Sequence, residues 1–196
     1  MDYSARRIDL FENSLSPEVC EDIINRFKMD DRKYDGDVLY GNGDVAVDHK
    51  QKKCTELYLS KHCEWKDIDE MLAAEIKKKI LILREKYPGL SYCNKVLDEG
   101  YRIKHYKNDG TEHFNWHIDS NGHRASHRYY VFMWYLNTVT EGGETEFRVP
   151  DENGDNILVK PVQGRMAAFP PFWTHEHRAN PPISEDKYCI ASWITF

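Results

Sequence analysis

Residues 114–123, FNWHIDSNGH, place an imidazole and a carboxylate two positions apart, at His117 and Asp119. The segment alternates apolar and polar residues, the mark of a half-buried strand. On that pattern Phe114, Trp116 and Ile118 share one face, while His113, Asn115, His117 and Asp119 share the other. A polar strand face ordinarily meets water, and an isolated H-x-D reads as a solvated ion pair. Chemistry requires a third ligand arriving from elsewhere. Seven of the nine histidines fall between residues 105 and 177, and PPFWTHEHRANPP (170–182) offers two candidates, His175 and His177. Two imidazoles and one carboxylate on one face of a metal leave its other positions open, an arrangement suited to non-haem Fe(II) and oxygen chemistry.

Such residues need a frame. From about residue 100 the chain breaks into short apolar and alternating runs: YRIKHYK, HFNWHID, RYYVFMWYLN, ETEFRV, NILVKPV, RMAAF and KYCIASWITF. Asn153-Gly154 between two of them is a hairpin signal. Strands at this spacing predict a sandwich or barrel. RYYVFMWYLN is apolar on both faces, as a strand covered on each side should be. The first half carries the helical patterns. Ser16-Pro17 reads as an N-cap and first helical residue, with Val19, Cys20, Ile23, Ile24 and Phe27 at helical spacing. A longer helix is expected from Asp67 and Glu70, read as a capping pair, through the stripe Ile68, Met71, Leu72, Ile76, Ile80, Leu83 and Tyr87 to the stop at Pro88-Gly89. Both stripes read as packing surfaces. Residues 33–53, polar and glycine-rich, read as a long loop.

Composition limits the rest. The chain has 196 residues, 40% hydrophobic and 31% charged, with net charge −6. That is enough for one ordinary domain with its own core. The acidic balance argues against a nucleic-acid partner but leaves room for a local basic pocket. Cys20, Cys54, Cys63, Cys93 and Cys189 are odd in number and scattered, which suits free thiols in a reducing compartment. MDYSARRIDLF lacks the apolar core of a signal peptide, and no run is long enough to span a bilayer. A cytoplasmic protein with no membrane partner is expected. Two motifs fail their own tests. GNGDVA (41–46) fits a dinucleotide fingerprint but opens no apolar helix. DENGDN (151–156) begins like a calcium loop, yet Asn156 and Val162 stand where glycine and glutamate are needed.

Over residues 101–196 the chain resembles the 2-oxoglutarate and Fe(II)-dependent oxygenases, and within them the prolyl 4-hydroxylase-like branch. Six elements occur in register: YRIKHYKNDG, HID, WYLN followed by EGGETEF, VKPVQGRMAAF, HRANPP, and Lys187 ten residues after His177. The resemblance implies that His117, Asp119 and His177 hold Fe(II). Pro181 and Lys187 lie at the family's spacing from His177, whereas His175 misses both by two. It implies too that Lys187 pairs with the distal carboxylate of 2-oxoglutarate, that Tyr135 hydrogen-bonds the same cosubstrate, and that Tyr106 reaches it.

The implied fold is mainly β with flanking helices: a double-stranded β-helix (jelly-roll, cupin-like) barrel with the N-terminal helices packed on one sheet. A single oxygenase domain over 1–196 is expected, with 1–99 as helical support containing a candidate substrate loop at 33–53, and 100–196 as the catalytic core. The implied activity is hydroxylation of a C–H bond, foremost of a peptidyl residue such as proline, with 2-oxoglutarate and O2 consumed, succinate and CO2 released, and ascorbate an optional reductant. Two alternatives stay open: an oxygenase for a small molecule or nucleobase, and a metal-binding jelly roll without turnover.

Overall fold

A computed structural model describes residues 6–93 and 95–196. The first five residues of the segment read above for a leader lie outside the described residues. In chain order the elements of the first half are β1 (Asp9–Phe11), α1 (Pro17–Met29), β2 (Tyr34–Asp35), β3 (Val38–Leu39), β4 (Val45–Ala46), β5 (Lys52–Lys53), β6 (Thr55–Tyr58) and α2 (Lys66–Lys86). The second half is almost wholly strand: β7 (Leu97–Asp98), β8 (Arg102–Tyr106), β9 (His113–His117), β10 (Arg128–Tyr135), β11 (Thr145–Pro150), β12 (Asn156–Val159), β13 (Met166–Phe169), β14 (His177–Ala179) and β15 (Lys187–Thr195).

The strands form two main sheets. The larger runs β1-β13-β10-β15-β8-β6-β2, with β7 beside the far end of β15; the smaller runs β12-β11-β14-β9-β5. Period-two alternation divides the large sheet between two cores. Tyr130, Phe132 and Trp134 of β10, with Tyr188 and Ile190 of β15, pack against α1 and α2. Val131 and Tyr135 of β10, with Cys189 and Ala191 of β15, turn the other way and join Phe147, Ile157 and Val159 of the small sheet. Strands β10 and β15 are therefore covered on both faces, and β15 is buried at every residue. The fold is mainly β with helices laid on one sheet.

The helices form for the reasons their sequences suggest. Ser16 Oγ accepts from the Val19 N–H, Pro17 opens α1, and Cys20, Ile23, Ile24 and Phe27 are its buried face. In α2 the buried stripe is Ile68, Leu72, Ile76, Ile80 and Leu83. The expected Asp67/Glu70 capping pair is absent. Trp65 is the N-cap, without a side-chain bond, because a 3-10 turn at Cys63–Trp65 runs straight into the helix. Asp67 instead takes a bidentate bond from Arg26 of α1, at 2.7 and 3.0 Å. The Asn153-Gly154 turn joins β11 to β12, with Gly154 at φ 89°. No helix among the described residues is long and apolar enough to cross a membrane.

The first half differs from a purely helical reading. Strands β1, β2 and β6 widen the large sheet, and β5 pairs with β9 at the edge of the small one. Residues 33–53 hold four short strands and the β3–β4 hairpin. Two-residue strands are too short to show periodicity.

Candidate active site

Strands β9 and β14 carry the site. They pair antiparallel with His117 opposite His177, but Phe114 stands opposite Ala179, so β9 holds one residue more than its partner over this stretch. A β-bulge of this kind re-aims side chains. Asn115 and Trp116 both face outward: Asn115 donates to the Lys50 carbonyl, and Trp116 lies between the guanidinium groups of Arg148 and Arg178. Phe114 and His117 both face inward, their rings stacked 3.5 Å apart. The strict alternation expected over 113–119 is thus wrong for His113, Phe114 and Asn115. Asp119 follows the strand, its N–H anchored on the Pro171 carbonyl at 3.1 Å. His113 is bound outside, to the Thr111 and Lys50 carbonyls.

His117, Asp119 and His177 converge, offering ligand atoms that all lie within 4.8 Å of one another. Asp119 Oδ2 is 3.4 Å from His177 Nε2, and Oδ1 is 3.9 Å from His117 Nε2. Each ring is held from behind. His117 Nδ1 donates to the Asn115 carbonyl at 2.8 Å and His177 Nδ1 to the His175 carbonyl at 3.0 Å. A proton fixed on Nδ1 leaves the lone pair on Nε2 aimed at the centre. Burial pushes the His117 imidazole well below its usual range, and His177 adds to this. His177 is lowered by burial as well. Burial acts to raise Asp119, but His177, His117 and Arg128 outweigh it and keep the carboxyl low. Two neutral imidazoles and a carboxylate, buried and convergent, are a donor set that fits a divalent iron.

His175 is also buried but turned away. Its Nε2 donates to the Arg6 carbonyl at 2.9 Å and its Nδ1 lies 2.9 Å from Thr174 Oγ1. A 3-10 turn at Trp173–His175 separates it from β14, so the two histidines do not share a strand face.

Lys187, Tyr106 and Tyr135 form a second group between the sheets. Lys187 opens β15 opposite Tyr106 of β8. Its Nζ lies 5.5 Å from the centroid of each tyrosine ring. Lys187 is 1% exposed and makes no ion pair among the described residues. Burial lowers the ammonium, and Lys104 adds to that. The Tyr135 hydroxyl donates to Thr145 Oγ1 at 2.8 Å. Burial raises both phenols.

A cavity of about 460 Å³ opens beside the candidate ligands, with His117 and Asp119 on its wall and the β3–β4 hairpin at its rim. Its wall also carries residues that sequence reasoning did not single out: Arg102, Lys104, Arg128 and Trp193. Arg128 is paired with Glu99 at 2.6 Å and donates to the Asp119 carbonyl at 3.0 Å. Arg102 and Lys104 precede Tyr106 at intervals of two on β8, so alternation from Tyr106 could have placed both inside.

A two-histidine, one-carboxylate site on a mainly-β frame defines a non-haem iron class of enzyme. Residues 101–195 match the model of the 2OG-Fe(II) oxygenase superfamily. The chain is 26% identical over 210 residues to prolyl 4-hydroxylase 13 of Arabidopsis thaliana, covering 96% of this chain and 70% of that protein. Its fold is shared with a prolyl hydroxylase from Trichoplax adhaerens, solved in complex with a hypoxia inducible factor peptide fragment (TM-score 0.76, 15% identity, 99% of this chain and 86% of that one). It is shared too with a Pseudomonas putida prolyl-4-hydroxylase (TM-score 0.73, 14% identity, 100% and 96%). Over residues 101–195 the chain thus matches the 2-oxoglutarate/Fe(II) oxygenases, with a prolyl 4-hydroxylase among its relatives; with the His-Asp-His triad this supports an oxidoreductase of that type, for which the family implies Fe(II), 2-oxoglutarate and O2.

Proposed function

We propose that this enzyme hydroxylates a C–H bond of a peptidyl residue, proline foremost, while 2-oxoglutarate becomes succinate and CO2. The observation that carries the reading is Lys187, a buried ammonium without a counter-charge, between the sheets that also bear three convergent ligand atoms. A buried cation is costly unless paired, so an anion is expected there. His117 and His177 through Nε2, and Asp119 through its carboxylate, would hold the iron, which when bound supplies the oxidising chemistry. Lys187 would pair with the distal carboxylate of 2-oxoglutarate, while Tyr135 and Tyr106 present hydroxyls to the same molecule. The carbonyls of Asn115 and His175 hold the two imidazoles in one tautomer throughout.

The shared core between the sheets supports a double-stranded β-helix, jelly-roll in type, as the catalytic core over 100–196, with 1–99 bracing it in a single domain. The 33–53 segment reads as a substrate lid, because Val38, Tyr40 and Gly41 border the cavity. The peptide preference extends to this chain what its prolyl hydroxylase relatives suggest. The free thiols fit a cytoplasmic setting. The test is to incubate the protein with Fe(II), ascorbate, 2-oxoglutarate and a panel of proline peptides and small metabolites, then weigh the products. A peptide gaining one oxygen atom as succinate accumulates is expected. Oxygen gained only by a small molecule would overturn the peptidyl assignment.

A further inference from the structure

The oxygenase reading above names a target residue but no group that anchors the prime substrate in the cavity. Building on it, we infer that this substrate carries a carboxylate, bound at the cavity wall by Lys104. Lys104 shares the interior face of β8 with Tyr106, yet it lines the cavity, as Lys187 does not. It is 8% exposed and has no hydrogen bond or ion pair among the described residues. Its Nζ sits 5.4 Å from the Trp193 ring and 5.6 Å from the ring of Phe114, which itself stacks on His117. An anion held by Lys104 would therefore lie one aromatic ring away from a metal ligand.

The neighbouring charges do not satisfy it. Glu56 stands opposite Lys104 in the β6–β8 register, but Lys52 holds that carboxylate at 2.5 Å and Arg102 lies 3.8 Å from it. Asp37 is 3.2 Å from Arg102. Lys104 acts on Glu56 and Asp119 only through the field, and of the three cations Lys52, Arg102 and Lys104 it alone makes no ion pair among the described residues. Trp193 supplies a second, independent observation. Its indole Nε1–H is buried on the cavity wall with no partner, although Arg128 lies over the ring at 4.2 Å. Two residues on one cavity wall, each more than nine-tenths buried, thus carry a donor without a partner. An ammonium and an indole N–H match a carboxylate, which takes a charge-assisted bond on one oxygen and a neutral one on the other.

The carboxylate could belong to an acidic residue of a peptide or to a free amino acid. Two isosteric probe pairs separate these: acetyl-Pro-Glu-amide against acetyl-Pro-Gln-amide, and L-proline against L-prolinamide. Each is titrated anaerobically into protein loaded with Fe(II) and 2-oxoglutarate. The expected result is a roughly ten- to hundredfold preference for the carboxylate in one pair. That preference should disappear in Lys104→Met and largely survive in Lys104→Arg, with iron content and 2-oxoglutarate affinity held in both. No carboxylate preference in either pair, or a preference that persists in Lys104→Met, would overturn the inference. So would a loss of 2-oxoglutarate affinity in Lys104→Met, which would move the lysine to the cosubstrate. Wild-type protein that binds neither iron nor 2-oxoglutarate would instead overturn the oxygenase reading beneath it.

Discussion

Lys187 makes opposite demands on stability and function. An ammonium buried without a counter-charge destabilises the apoprotein, and its lowered pKa expresses that cost. The cost is present in full below the folded-state pKa and vanishes as pH rises to the higher unfolded value. Lys187→Met should therefore raise the thermal midpoint of metal-free protein near neutral pH, at about 2–4 °C per kcal/mol recovered. The same change should abolish the extra stabilisation that 2-oxoglutarate gives the Fe(II)-loaded protein. A lower midpoint for the mutant apoprotein would show that Lys187 has a partner. The two buried histidines should separate as cleanly. His177→Ala should lose stoichiometric iron, because only His117 and Asp119 remain as ligands. His175→Ala breaks a bond to the Arg6 carbonyl and should keep iron binding within about 10–100-fold. Circular dichroism checks folding, and metal analysis reads the outcome. Iron lost from His175→Ala but kept in His177→Ala would reverse the assignment.

At the scale of elements, the helices and the strand sequence were legible because their signals are local. The α1 cap and stripe, the Asn153-Gly154 hairpin and the doubly apolar β10 all stand where propensity and periodicity put them. The bulge in β9 was not legible. A register shift depends on the partner strand, and nothing in FNWHID marks an extra residue. His117 was placed correctly and Phe114 was not, since a bulge after Phe114 reverses the faces of what precedes it. The α2 cap failed for a related reason: the preceding 3-10 turn moved the helix start before Asp67. Reading α2 as a packing surface has its own test. Ile76 is 1% exposed, and Ile76→Ala should cost about 2–5 kcal/mol of stability while leaving iron content unchanged below the melting transition. Iron loss in a folded Ile76→Ala protein would mean that α2 shapes the site.

For the whole molecule, composition spoke for the average and missed the interior. A net charge of −6 says nothing of a cavity whose wall carries Lys52, Arg102 and Lys104. Small N-terminal strands were equally hidden, because β1 and β5 exist only as additions to strands of the second half and β2 only as an addition to β6. His117, Asp119 and His177 could be singled out as candidate ligands because the order of motifs fixed their spacing, and the fold brings their ligand atoms within 4.8 Å of one another. Release of succinate from 2-oxoglutarate by Fe(II)-loaded protein tests the central claim most directly, measured beside a folded Asp119→Ala control and a metal-free blank. Wild-type protein should form succinate well above both, slowly even without its prime substrate. Succinate at the level of the metal-free blank across several pH values would contradict the account.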